Sequence, residues 1–151
     1  MQIVIREAQT EKEFDRYYEL RWEVLRRPWN QPKGSEKDEN EDKATHIIAC
    51  INNKIVGVGR VHFNSEKETQ IRYMAVKARY QRKGIGSLIL EELERIAKEK
   101  GADHIVLNAR ENVTDFYKLH DYEILEQAHS LFGSIPHWKM QKKLRCAASG
   151  A

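Results

Sequence analysis

Cysteine, proline and glycine are all scarce in this sequence, and their scarcity excludes several classes of protein. The 151 residues include two cysteines, three prolines and eight glycines. Cys50 lies in an apolar run and is expected to be a small buried side chain, whereas Cys146 lies in a Ser/Ala/Gly-rich tail. The two show neither metal-ligand spacing nor a disulfide framework. We therefore expect no metal site and a reducing, cytoplasmic setting.

Long apolar runs and a strong excess of one charge are also missing. No apolar segment approaches the roughly 18 residues of a membrane-spanning helix, and residues 1–6 resemble a strand rather than a signal peptide. The net charge is only +3, from 26 basic and 23 acidic residues. A dedicated nucleic-acid-binding domain would carry a strongly basic face. Neither a membrane nor a nucleic acid is therefore an expected partner.

The length fits one domain, which we place at residues 1–144, followed by a flexible tail at 145–151. Apolar periodicity predicts strands at 2–5, 46–51, 55–63, 69–76, 105–107, 122–126 and 137–144, and helices at 10–27, 85–100 and 114–120. The predicted fold class is α+β (mixed α/β), with a mostly antiparallel sheet. One parallel strand-helix-strand step is expected, formed by 69–76, 85–100 and 105–107.

Local signals support several of these boundaries. Thr10 followed by Glu13 is a capping box, which predicts the start of the first helix. Asn52-Asn53 separates two apolar runs, and asparagine tolerates the positive φ that a tight hairpin requires. Gly101 is a natural end for the second helix.

The connection at residues 28–43 differs in composition from the rest of the chain. It carries two prolines, a glycine and an acidic run. The acidic residues are Glu36, Asp38, Glu39, Glu41 and Asp42. An irregular loop of this length inside a compact domain is uncommon and is often functional. The carboxylates either form a solvated surface or attract a cationic amine.

The segment Gln81-Arg82-Lys83-Gly84-Ile85-Gly86 lies between a predicted strand and a predicted helix. Glycines allow a close approach of the backbone to a ligand, and a helix N-terminus presents N–H groups and a positive dipole end. With Arg82 and Lys83 the segment indicates a pyrophosphate site, although a plain glycine-rich turn is the alternative. A Walker loop would need Gly-Lys-Ser/Thr, and a dinucleotide fingerprint would need glycine where Ile89 stands.

Three segments together resemble the GNAT acyltransferase superfamily. Gln81, Gly84 and Gly86 match its Gln/Arg-x-x-Gly-x-Gly/Ala signature, and 73–76 resembles the strand before that loop. Residues 116–122 resemble its Phe-Tyr-x-x-x-Gly-Phe step, with Asp121 in place of the glycine. The resemblance implies a twisted central sheet with flanking helices. It also implies an N-acetyltransferase that transfers the acetyl group of acetyl-CoA directly to a primary amine; a non-catalytic coenzyme A-binding module is the alternative.

The resemblance also implies a set of cofactor-binding residues. The backbone of the loop would hold the pyrophosphate, the preceding strand would pair with the pantetheine arm between two splayed strands, and the N–H near Ala75 would polarise the thioester carbonyl. Asn108 would bond to the arm or to the thiol side. The expected set comprises Met74, Ala75, Val76, Gln81, Arg82, Lys83, Gly84, Ile85, Gly86, Ser87, Asn108 and Tyr117.

Catalytic and acceptor residues are less well determined by the sequence. Tyr117 matches the tyrosine that protonates the departing thiolate, although it could be a packing aromatic. His137, in an Ile-Pro-His step, is either a base or a structural histidine. Candidate acceptor-site residues are Arg26, Trp29, Glu39, Asp42 and His46. The expected acceptor is a small-molecule or peptide amine. A homodimer stays open, because dimers are the commonest assembly.

Overall fold

The computed structural model describes residues 2–133 and 135–145. This part contains three α-helices: α1 (Glu11–Leu25), α2 (Ile85–Glu99) and α3 (Thr114–Leu119). Its seven strands are β1 (Ile3–Glu7), β2 (Thr45–Ile51), β3 (Lys54–Phe63), β4 (Glu68–Val76), β5 (His104–Arg110), β6 (Glu123–Leu131) and β7 (Ile135–Lys143). The strand order is β1-β2-β3-β4-β5-β7-β6, mostly antiparallel. The predicted α+β class is confirmed, whereas Cys146 and the rest of the predicted tail lie outside the described residues.

The chain divides into two compact units, of which the first comprises Met1–His62 and Ile71–Ile96. Here β1 pairs with β2, and β2 pairs with β3, both antiparallel. The β2–β3 turn has Asn52 at φ 51° and Asn53 at φ 64°, which confirms the predicted hairpin. No helix in the described part of the chain is long and apolar enough to cross a membrane.

Helix α1 begins at the predicted capping box. The Thr10 side chain accepts the Glu13 backbone N–H, and the Glu13 side chain accepts the Thr10 backbone N–H. The inner face of the helix packs Tyr17 and Leu20, both at most 2% exposed, into a core with residues of β2 and β3. The sheet therefore holds the C-terminal end of α1, where the acidic loop begins.

Helix α2 lies directly on β3 because two glycines there lack side chains. A Cβ atom at Gly59 would lie 2.7 Å from Ile89 Cγ2 and 2.9 Å from Leu93 Cδ1. At Gly57 a Cβ would lie 2.8 Å from Ile89 Cδ1. Close packing of helix on strand fixes the height of the α2 N-terminus above the sheet. That N-terminus carries the Gly84–Gly86 segment.

The second unit comprises Phe63–Gln70 and Ala97–Ala151. Within it β4 runs parallel to β5, from Glu68 opposite His104 to Gln70 opposite Val106, as predicted. Strand β7 then inserts between β5 and β6 and pairs antiparallel with both. This double pairing extends β5 and β6 well beyond the short predicted strands at 105–107 and 122–126. Asp121 has φ 71°, the left-handed conformation expected where it replaces glycine.

Candidate functional site

The loop after β4 is held by its own side chains and by β3. The Gln81 side-chain amide donates to the Val76 carbonyl at 2.9 Å, and the Lys77 N–H donates to the Val56 carbonyl at 2.9 Å. The loop then turns through two positive-φ residues, Arg82 at 62° and Gly84 at 82°. Only glycine adopts this conformation without strain, which accounts for Gly84.

The N-terminus of α2 follows this turn at once. Ile85 is 1% exposed and anchors the first turn in the core of the first unit. The Leu88 N–H donates to the Gly84 carbonyl at 3.2 Å, so the amides before Leu88 belong to a first turn that has no helical acceptors. The exposed side chains of Arg82 and Lys83 add two positive charges. Backbone amides, the helix dipole and these charges together form an anion-binding site.

Tyr73 lies in β4 with φ 61°, a conformation that a β-strand does not require and an aromatic residue rarely adopts. Four guanidinium carbons surround its ring, at 4.2 Å for Arg21, 4.5 Å for Arg72, 5.0 Å for Arg60 and 5.5 Å for Arg26. Contacts of this kind are attractive, particularly when buried. They hold the ring, and so the strained backbone, in place.

Tyr73, with its left-handed φ, comes immediately before Met74, Ala75 and Val76, the segment that the resemblance assigns to the acyl donor. Ala75 is buried, whereas Met74 and Val76 are partly exposed. A residue with left-handed φ in a strand redirects the backbone that follows it. We therefore regard Tyr73 as the residue that sets the direction of this segment, a feature that sequence patterns did not reveal.

Asp38 joins the acidic loop to two strands. Its carboxylate accepts two bonds from Arg60, at 2.6 Å and 3.0 Å, and one from Arg72 at 2.7 Å. Burial by itself would raise the pKa of Asp38, but the bonds from Arg60 and the Asn40 amide outweigh it and hold this pKa well below its usual range. Asp38 is therefore ionised and fixes the middle of the loop.

Glu41, three residues after Asp38, also fixes the loop through bonds to arginines. Its Oε2 atom accepts from Arg21 at 2.9 Å, from Arg60 at 2.8 Å and from the Asp38 N–H at 3.0 Å. Arg21 and Arg60 are both 0% exposed, so these are buried ion pairs. Arg21 also donates to the Glu36 carbonyl at 3.0 Å. The carboxylates of Asp38 and Glu41 are thus already bound by arginines, and that of the buried Glu36 accepts the Gly34 N–H at 2.7 Å.

Both ring nitrogens of His46 have partners within the protein. Nδ1 lies 2.8 Å from the Tyr17 hydroxyl, and Nε2 lies 2.8 Å from the Glu41 carbonyl oxygen. Because a carbonyl only accepts, Nε2 carries the proton and Nδ1 accepts from Tyr17, whose oxygen accepts from Arg21 at 2.7 Å. Burial lowers the pKa of His46. These contacts are typical of a structural histidine that ties the acidic loop to β2.

The other acceptor-site candidates divide between interior and surface. Arg26 is 5% exposed and donates to the carbonyls of Ser35 and Leu25, at 3.0 Å and 3.1 Å. Trp29 is 40% exposed, and Glu39 and Asp42 are exposed as well. Sequence reasoning therefore chose the two outer carboxylates of the loop and overlooked the inner ones. The sequence did contain one signal for the inner carboxylates: Arg60 is a charged residue within the apolar run of β3, and a buried arginine needs an acidic partner.

The second unit holds the remaining candidates. Tyr117 is 9% exposed, and its ring lies 5.0 Å from that of Phe116 and 5.6 Å from that of Tyr122. Burial raises the pKa of Tyr117 to about 12, so its hydroxyl keeps its proton at neutral pH. His137 in β7 is buried, and its Nδ1 lies 2.9 Å from the Ile135 carbonyl oxygen. The exposed Asn108 is in β5, which pairs with β7.

Comparison with known proteins agrees with this arrangement. Residues 14–122 match the model of the acetyltransferase (GNAT) family. The uncharacterized N-acetyltransferase YjcF of Bacillus subtilis is 32% identical over 135 residues, which cover 89% of this chain and 96% of that protein. Two crystal structures share the fold: an aminoglycoside 6'-N-acetyltransferase complexed with coenzyme A, and a GNAT acetyltransferase of Elizabethkingia anophelis with acetyl-CoA bound.

For the aminoglycoside enzyme the TM-score is 0.79 at 15% identity, over 93% of this chain and 96% of that one. For the Elizabethkingia enzyme it is 0.76 at 19% identity, over 94% and 98%. Identities this low establish the fold alone, whereas the family model and the YjcF relative concern the sequence itself. The chain therefore belongs to the GNAT acetyltransferase family and is an acyl-CoA-dependent acetyltransferase.

Proposed function

We propose that the protein transfers the acetyl group of acetyl-CoA to a primary amine, carried by a small molecule or a peptide, in a direct reaction without an acyl-enzyme. The observation that carries this proposal is the turn at Gly84, which leads into the N-terminus of α2. It combines backbone amides, a helix dipole and two cationic side chains, which suit a pyrophosphate. Two proteins of the same fold were crystallised with coenzyme A or acetyl-CoA.

In this proposal the donor lies along the segment that follows Tyr73. The amides of Arg82 to Ser87 hold the pyrophosphate, and the backbone of Met74 and Val76 pairs with the pantetheine arm. A backbone N–H near Ala75 donates to the thioester oxygen as negative charge develops there. Gln81 acts indirectly, since its side-chain amide bonds to the Val76 carbonyl and ties the loop to the strand.

Direct transfer is supported by the surroundings of Cys50. This thiol is 6% exposed within β2, and burial raises its pKa, which disfavours the nucleophilic thiolate. The amine therefore attacks the thioester itself, and catalysis consists of positioning and carbonyl polarisation. Tyr117 gives its proton to the departing thiolate of coenzyme A, and His137 is the candidate to accept the proton of the amine. Asn108 bonds to the thiol side of the donor.

Calorimetric titration with acetyl-CoA and with coenzyme A tests the donor site. Lys83→Glu reverses an exposed charge beside the turn and leaves the core intact, so we expect coenzyme A affinity to fall about tenfold or more. Lys12→Glu makes the same charge change at an exposed position of α1 and serves as the matched control. Equal affinity of both variants would place the pyrophosphate elsewhere. Binding without turnover of any amine would favour the non-catalytic module.

A further inference from the structure

Arginines and carboxylates form one network around Tyr73. Arg21, Arg60 and Arg72 all lie within 5.0 Å of its ring centre and share two carboxylates, those of Asp38 and Glu41. Arg26 adds a further positive charge, with its guanidinium carbon 5.5 Å from the centre of the Tyr73 ring. Glu36, whose carbonyl accepts from Arg21, is buried as well, so the three buried arginines are matched by three carboxylates and Arg72 is the additional, partly exposed cation.

Two hydrogen-bond donors in this cluster also lack acceptors. The Nε atoms of Arg21 and Arg60 are buried and have no hydrogen-bond partner among the residues that the structure describes. Buried guanidinium N–H groups are normally hydrogen-bonded, so two unmet ones in one cluster are uncommon. These two donors are enclosed, so the additional positive charge of the partly exposed Arg72 is the feature that suits a negatively charged ligand.

Arg72 is the member of the cluster that a ligand can reach. Its side chain is 38% exposed, whereas those of Arg21 and Arg60 are fully buried. Only its Nη1 atom is bonded, to Asp38 at 2.7 Å; within residues 2–133 and 135–145 its Nε and Nη2 atoms have no partner. These two N–H groups form the side of a guanidinium that binds a carboxylate through two parallel bonds. The bond to Asp38 holds that side in a fixed orientation.

The position of Arg72 in the chain relates it to the reacting atoms of the proposed function. Ala75, whose neighbourhood is proposed to receive the thioester carbonyl, follows three residues later in β4. Three residues of extended chain span about 10 Å at most. The Cα atoms of Arg72 and Ala75 are therefore at most about 10 Å apart, a separation that the arginine side chain and a short acceptor can bridge together.

We propose that the acceptor is a short amine that carries a carboxylate, such as an amino acid, and that Arg72 is the specificity-determining residue that binds this carboxylate. The inference rests on the proposed acetyltransferase reaction. Asp38, itself held by Arg60, positions the Arg72 guanidinium. The acidic loop then does not attract a cationic amine through the carboxylates of Asp38 and Glu41, because arginines already bind them.

The test compares phenylalanine, phenylalaninamide and phenethylamine as acceptors, which differ in the carboxylate. Release of coenzyme A thiol and the mass of the acetylated product are measured for the wild type, Arg72→Ala and Arg72→Lys. We expect the wild type to prefer phenylalanine in kcat/KM. Arg72→Ala should reduce that preference about 10- to 100-fold, Arg72→Lys should retain part of it, and the KM for acetyl-CoA should not change. Arg16→Ala, at an exposed position of α1, is the matched control.

The outcomes separate this inference from the proposed function. Acetylation of phenethylamine or the amide at least as fast as phenylalanine would overturn the inference while the acetyltransferase stands. An equal loss of kcat/KM for all three acceptors in Arg72→Ala would assign Arg72 a merely structural role and would also overturn the inference. A lack of turnover of phenylalanine and of other amino acids would overturn the inference too. Failure of acetyl-CoA to bind at all would instead refute the proposed donor site.

Discussion

The Asp38 carboxylate and the Arg60 guanidinium meet in a two-point contact, with Nη1–Oδ1 at 2.6 Å and Nη2–Oδ2 at 3.0 Å. Arg60 is completely buried in β3, and Asp38 comes from the irregular connection between α1 and β2. Such a pair is stable because both partners are present, and removal of either one leaves a charge in the interior. The loop and the sheet are therefore interdependent.

Asp38→Asn is expected to destabilise the protein by about 3 kcal/mol, because it leaves part of the Arg60 charge without compensation. The free energy of unfolding, obtained from a urea titration, measures the loss. Asp42→Asn removes the same charge from an exposed side chain of the same loop and should change stability by less than about 0.5 kcal/mol. Similar values for the two variants would contradict the view that Asp38 fastens the loop.

Gly59→Ala should cost about 1–3 kcal/mol, and Gly57→Ala should cost less. At Gly59 the new methyl group meets Ile89 Cγ2 at 2.7 Å, an atom on the branch nearest the backbone that cannot move aside. At Gly57 the nearest atom is Ile89 Cδ1 at 2.8 Å, the end of the side chain, which can rotate away. Thermal unfolding midpoints of the two variants give the order, and the reverse order would show that α2 does not rest on β3 as described.

The contribution of His46 to stability should decrease as the pH falls. Its pKa is lowered by burial in the folded state, while in the unfolded chain it is about 6.5. Below about pH 6.5 the unfolded state therefore takes up a proton that the folded state refuses, and unfolding becomes easier. Replacement by glutamine, which does not titrate, should flatten the decline in unfolding free energy between about pH 6.5 and 5. His129→Gln, at an exposed position of β6, is the control. If the unfolding free energy of His46→Gln declined with pH as steeply as that of the wild type, His46 would not be the cause of the decline.

Tyr117→Phe should reduce kcat by about 10²-fold or more while the affinity for acetyl-CoA is unchanged, because only the proton donor is lost. Steady-state kinetics with a productive amine, together with calorimetry, separates the two effects. Tyr122→Phe removes a hydroxyl from the neighbouring ring, 5.6 Å away between centroids, and controls for packing. If both variants retained the wild-type rate, the thiolate would leave without help from Tyr117.

The parts of the fold that sequence reasoning predicted correctly are those set by local chemistry. Thr10 and Glu13 form their capping box, and Asn52 and Asn53 form their turn, because each depends on neighbours a few residues away. The parallel pairing of β4 with β5 was predicted because a helix, which begins after Gly84, connects the two strands. The length of β6 did not follow, because its polar residues fit an edge strand only once β7 is beside them.

Site residues were harder to predict where tertiary contacts decide the conformation. An acidic run has no periodicity that distinguishes the inward-facing Asp38 and Glu41 from the exposed Glu39 and Asp42. Tyr73 has no intrinsic tendency toward positive φ, so only the arginines around its ring reveal why that conformation persists. The role of Tyr117 stays a prediction that the kinetic experiment tests, and the roles of His137 and Asn108 stay predictions.

Asp38 also lies near the middle of the connection between α1 and β2, so its bonds to Arg60 divide one long loop into two short spans. Each span is closed at both ends, which leaves little entropy for independent motion. Exchange of the Asp38 amide hydrogen, which is bonded to Glu41, is expected to require the buried ion pairs to break. We therefore expect the acidic loop to move with the sheet rather than independently of it.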